Sequence, residues 1–216
     1  MTLPFTTEAF FGVFAGYNAD WWPAVVALWL LAAGGLVVVT RAPGPRADRV
    51  VAAVLAALWL WGGVVYHAAC FTAINPAAWG FAALFVAEGL LIAWLGLARG
   101  RLHIGTAGPA WRAVGVGLAL YALAYPWLST RLHPYPAAPT FGVPCPTGIF
   151  TVGLLATSPQ PPRAALIAPL VWSLIGGSAA VVLGVTTDLV LLACAPLLVA
   201  KAIVTRRAPA RSLRRG

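Results

Sequence analysis

Acidic side chains are scarce in this chain: 5 Asp and Glu stand against 14 Lys and Arg, and charged residues of both signs make up 9% of 216 positions. A soluble domain of this size needs a charged skin, and a composition that is 61% hydrophobic has more apolar surface than one interior can hide. A water-soluble fold is therefore excluded. Cysteine is rare too. Cys70, Cys145 and Cys194 are odd in number and lack CxxC spacing, which removes a disulfide framework and a zinc ribbon. GxSxG, HExxH and a Gly-rich phosphate loop after a strand are absent, and with them the commonest hydrolase and nucleotide-binding signatures. The opening MTLPFTTEAFFGVF has no basic stretch and its first charge is Glu8, so no signal peptide is expected.

What remains is a succession of long apolar runs. A helix needs ~20 apolar residues to cross the hydrocarbon core. Dividing the chain at its charges and Pro/Gly clusters predicts spans at residues 21–40, 50–70, 77–98, 113–128, 147–157, 164–185 and 189–204. The expected fold is an all-α polytopic bundle of about seven spans, with an outer amphipathic segment at 1–20, the bundle at 21–204 and a basic tail at 205–216. In the first segment Phe10, Phe11, Phe14 and Tyr17 share a helical face and Thr6 is the expected N-cap. Trp21, Trp22, Trp79 and Trp111 fall near the ends of runs, where an indole keeps its N–H wet.

The net charge of +9 does not point to nucleic acid, because the basic residues lie in short clusters between apolar runs. They are one-sided instead. Arg41, Arg46, Arg49, Arg99, Arg101, Arg112, Arg163, Lys201, Arg206, Arg207, Arg211, Arg214 and Arg215 fall on one side of the expected bundle and Arg131 alone on the other. Since basic loops stay cytoplasmic, the N-terminus is expected outside and the C-terminus in the cytoplasm of a bacterial inner membrane.

The fifth run is too short. Eleven helical residues rise ~17 Å against a core of ~30 Å, so the preceding TFGVPCP is expected to descend as extended chain to a half-helix starting near mid-bilayer. Such a start leaves free N–H groups and a positive dipole end. Glu88, the one charge deep inside a predicted span, falls at the same height, so a buried site is expected from Glu88, Cys145, Thr147, Gly148 and Tyr121. An acid there either serves function or caps a helix, and the sequence leaves both open.

A second polar group, Tyr66, His67, Cys70 and Asn75, collects at the outer end of span two. His67 and Cys70 share a face and begin a metal site if Cys145 and His133 join them; otherwise His67 is expected to bond a carbonyl of the INP turn or water. A Cys70–Cys145 disulfide would require Cys145 near the surface. Gly176, Gly177 and Ser178 suit close helix packing, Cys194 suits apolar packing, and Pro196 is expected to kink the last span. His103 and His133 lie in loops and Lys201 near a span end, so neither a bis-histidine haem nor a retinal site is expected.

The stretches LPFTTEAFFGVFAGYN, VVYHAACFTAINPAA, FGVPCPTGIFTVGLL and LIGGSAAVVLGV resemble a family of uncharacterised bacterial multi-pass membrane proteins along nearly the whole chain. That resemblance implies a helical bundle with no assigned activity. Glu8, Tyr17-Asn18, Tyr66-His67 and Glu88 are more faintly similar to seven-span zinc hydrolases of the ceramidase and adiponectin-receptor type, but LACAPLL stands where that family carries HxxxH. The expectation is a non-catalytic accessory or assembly component of a larger membrane complex, with no cofactor but an apolar exterior suited to lipid, pigment or partner helices. A proton-coupled or small-solute carrier using Glu88 is the alternative, and a membrane-embedded metal-dependent hydrolase the second.

Overall fold

The computed structural model describes residues 4–207, and among these no strand occurs. Residues 1–3 and 208–216 lie outside them, and with them Arg211, Arg214, Arg215 and most of the expected basic tail. Seven helices follow in order: α1 (Thr7–Arg41), α2 (Pro45–Trp61), α3 (Ala78–Ala93), α4 (Pro109–Ser129), α5 (Pro144–Ala156), α6 (Ile167–Leu183) and α7 (Val190–Arg207). Six of the helical stretches are long and apolar enough to cross a membrane; α5 is not. The chain reads as a membrane protein.

Thr6 caps α1 as expected, its hydroxyl accepting from the Ala9 amide at 3.2 Å. The expected division near residue 20 is corrected: surface segment and first span form one unbroken rod of 35 residues, ~52 Å long. Pro23 sits inside it. Tertiary packing carries the extra turns, because Phe14 and Tyr17 are buried against Tyr66, with ring centroids 5.7 Å apart in both cases. Asn18 adds a polar tie: its amide donates to the carbonyls of Pro136 and Ala138 at 2.6 and 2.8 Å and its oxygen accepts from Thr140 at 2.6 Å.

Helix α5 is the centre of the bundle. Every residue from Pro146 to Ala156 is buried, the pattern of a helix apolar all round and enclosed by others. Its approach to α4 is backbone against backbone, since a Cβ on Gly153 would stand 2.6 Å from the Gly115 carbonyl and 2.8 Å from the Ala119 nitrogen. Trp59 reaches in from α2 and donates to the Thr151 hydroxyl at 2.9 Å, which in turn donates to the Thr147 carbonyl at 2.8 Å. At the far end Lys201 donates to the Ala156 carbonyl at 2.9 Å with its ammonium over the Trp111 ring, a cation on the negative end of the helix dipole.

Small residues also set the other crossings. Gly63 and Gly89 lie where a Cβ would meet Val86 and Leu60 at 2.8 Å, which closes α2 on α3. Gly176 and Gly177 meet Leu191 and Leu192 in the same way, so the LIGGSAA stretch packs α6 on α7 as its composition suggested. Cys194 is fully buried in the core, consistent with apolar packing, and α7 continues through Pro196.

Gly153→Ala is expected to lower stability by about 1–3 kcal/mol through overpacking against α4. Gly117→Ala, where a Cβ meets nothing within 4 Å, is expected to leave stability unchanged or raise it by up to ~1 kcal/mol. Thermal unfolding of the two variants in detergent checks the contrast.

Candidate functional site

The start of α5 differs from the expected one in two respects. Val143 is extended, at φ −77° and ψ 163°, but Cys145 is helical because the helix begins at Pro144 rather than Thr147. Prolines at the first and third helical positions cost nothing there, since those amides have no partner inside a helix. The Thr147 amide is already bonded to the Val143 carbonyl at 3.3 Å. Cys145 therefore supplies the sole amide of the first turn ahead of Thr147, and the expected row of free N–H groups at Thr147–Ile149 is reduced accordingly. The lead-in chain from Thr140 to Val143 is buried by protein throughout. Gly142 makes this path open to the chain: at φ 86° it takes a left-handed turn, and a Cβ there would lie 2.9 Å from the Tyr17 hydroxyl.

Glu88 is 2% exposed, and its Oε1 has no hydrogen-bond partner. No hydrogen bond joins it to Thr147, Gly148 or Ile149, and the Thr147 hydroxyl is likewise buried without a partner. Gly148 instead gives room to an aromatic ring, since a Cβ there would be 3.0 Å from Trp172 Cδ1. Tyr121 turns away toward α7 and donates to the Thr187 carbonyl at 2.8 Å.

A different set of residues meets at a cavity of about 310 Å³ between the N-terminal end of α5, the C-terminal half of α6 and the Gly62–Cys70 stretch that follows α2. Tyr66, His67, Asn75, Cys145 and Asp188 all line it, so it takes in most of the outer polar group together with the start of α5. Cys70 is not among its walls; it and Cys145 are free thiols. Among the described residues no three His, Cys, Asp or Glu side chains converge as metal ligands, and His133 stacks on Phe11 with centroids 3.8 Å apart.

His67 sits on a nine-residue π-helical stretch, Gly62–Cys70, that continues α2. The ring makes no bond to the INP turn: it is 0% exposed, and neither ring nitrogen has a protein partner. Rings surround it, with Phe85, Trp172 and Phe81 centroids at 4.8, 5.2 and 5.6 Å. Trp172 Nε1 is also buried without a partner. Unmet buried donors and acceptors are costly, so these groups in a cavity wall are available to bond a molecule held there.

Asp188 was hidden from sequence reading by its place in TTDL, where an aspartate before a helix reads as an exposed cap. It is 5% exposed and accepts from the Tyr125 hydroxyl at 2.5 Å, which itself accepts from Thr187 at 3.2 Å. Among the described residues the single ion pair is His103 with Asp48 at 3.3 Å, at the opposite end of the bundle, so Asp188 has no cation beside it. The signal available in the sequence was the pairing of TTDL with Tyr121 and Tyr125, one helical turn apart on α4.

The chain belongs to the DUF6064 family, a family of unknown function, which it matches over residues 7–212. No curated protein and no solved structure matches it, and nothing in these comparisons supports the fainter likeness to seven-span zinc hydrolases.

His67→Phe is expected to raise the thermal stability of ligand-free protein in detergent, because the ring fits an aromatic surround and two unsatisfied nitrogens costing about 1–3 kcal/mol are removed. Tyr125→Phe is expected to lower stability by about 1.5–3 kcal/mol, the range for a hydrogen bond to a charged group. Paired melting curves read both directions.

Proposed function

We propose that the protein is a non-catalytic integral membrane protein that holds one small, largely apolar molecule in the cavity between α2, α5 and α6, as an accessory component of a larger membrane assembly. The carrying observation is the cavity itself: aromatic walls with two unpartnered polar rings, His67 and Trp172, in about 310 Å³. That size is at the lower end for small-molecule pockets, enough for a single guest. Ser178 and Val182, one turn apart on α6, are exposed at the rim, so the opening faces sideways, toward lipid for a helix that spans.

The reading takes the end carrying Arg41, Arg99 and Arg163 as cytoplasmic, by the excess of basic residues there, in a bacterial inner membrane. The cavity then opens near the outer interface. Helix α5, ~20 Å long for 13 residues, stops short of one face of the ~30 Å core, and its lead-in completes the crossing as protein-enclosed irregular chain. Exposed Trp22, Leu30, Trp79 and Val181 supply the apolar outside that lipid or partner helices cover.

One observation favours a second reading. The buried Oε1 of Glu88 lacks a partner, and an isolated acid inside a span is a common element of proton-coupled carriers. The metal-dependent hydrolase has no such observation behind it.

Mass spectrometry of protein extracted gently from native membranes is expected to show a bound apolar molecule, and Ser178→Trp at the rim is expected to cut its occupancy about tenfold. A wild type free of any guest defeats the binding reading. Extraction as a lone monomer defeats the accessory role, and loss of solute flux in Glu88→Gln proteoliposomes would favour the carrier instead.

A further inference from the structure

The charge balance of the cavity narrows its guest. Asp188 is a buried carboxyl with a hydroxyl donor on one oxygen and, among the described residues, no Lys, Arg or His within ion-pair distance. A buried carboxylate without a counter-charge is unfavourable by several kcal/mol, and it is relieved by a positive partner or by taking up a proton. The one group of the cavity wall able to take a positive charge is His67, and it stands beyond ion-pair distance of Asp188; the other titratable groups there are Tyr and Cys. Aromatic rings line the same cavity, including Tyr66, Phe71, Phe81 and Trp172. Rings attract cations through their quadrupole, most strongly where water is excluded, and an aromatic cage with one acid is the arrangement that holds alkylammonium groups.

We propose that the guest is a lipophilic organic cation, an alkyl- or arylammonium whose charge sits between Asp188 and the ring walls. This rests on the cavity being a binding site. Its apolar body fills the space toward Phe10 and Phe14, while the sideways rim at Ser178 and Val182 opens where amphipathic cations gather, below the headgroups. A fatty acid or other anion is disfavoured by the same acid, and a neutral apolar molecule leaves the charge of Asp188 unmet. The unpartnered His67 ring provides an acceptor for ammonium guests that carry an N–H.

Two isosteric probes separate charge from shape: phenyltrimethylammonium and its neutral carbon counterpart, tert-butylbenzene. Binding of each to the full chain in nanodiscs is measured by ligand-observed NMR. Wild type is expected to bind the cation at least ~10-fold more tightly than the neutral probe, as one desolvated charge contact predicts. Asp188→Asn is expected to bring that ratio to about one while leaving neutral binding in place. If Asp188→Asn does not fold, Phe81→Leu keeps the wall apolar but removes a π face, and is expected to lower cation affinity several-fold with little change for the neutral probe. Equal binding of both probes by wild type overturns the cation inference and leaves the cavity reading standing. Binding of neither probe, or undiminished binding in Ser178→Trp, overturns the cavity reading and the inference with it.

Discussion

Enclosure of α5 is the constraint from which the rest of the architecture follows. A helix buried on every side has no water to satisfy what its backbone leaves open, so each end must be met by protein. At one end prolines remove two amides and Val143 accepts from a third. At the other, Lys201 answers the Ala156 carbonyl, and the loop before α4 closes over Thr157, whose carbonyl accepts from Ala107 and whose hydroxyl accepts from Gly105. Between them the Trp59–Thr151 bond fixes rotation about the helix axis. Deep packing and most of the bonds at the helix ends thus come from the same set of neighbours.

The cavity is a by-product of that solution. The irregular chain leading into α5 occupies the space a longer helix would fill, and no side chain fills the volume beside Cys145. Aromatic residues from α1, the π-helical stretch after α2, α3, α4 and α6 border the gap, and Asp188 enters from the turn before α7, where it accepts from Tyr125. Elements distant in sequence, from α1 to the turn before α7, contribute to one chamber. None of them alone marks a site.

This explains what could be read beforehand. Spans were legible from apolar runs bounded by arginine and Pro/Gly clusters, and the shortness of the fifth run was visible in FGVPCPTGIFTVGLL. Glycine packing at LIGGSAA and the Thr6 cap were local chemistry, hence readable. Continuity of α1 past Asp20 was not, since it depends on Phe14 and Tyr17 finding Tyr66 on another helix. Burial of Asp188 and isolation of His67 depend likewise on contacts far apart in the chain. Position along the third run set a height for Glu88 but not its facing direction, and facing decides partners.

The sideways rim between Ser178 and Val182 alters how affinity has to be reckoned. A guest of the proposed kind, arriving through that doorway, would come from the bilayer's interface, so the concentration it offers is a mole fraction among lipids, not a molarity in the surrounding fluid. Strong retention inside the chamber is then unnecessary: partitioning has already gathered the molecule, and the protein has only to choose among what the bilayer presents.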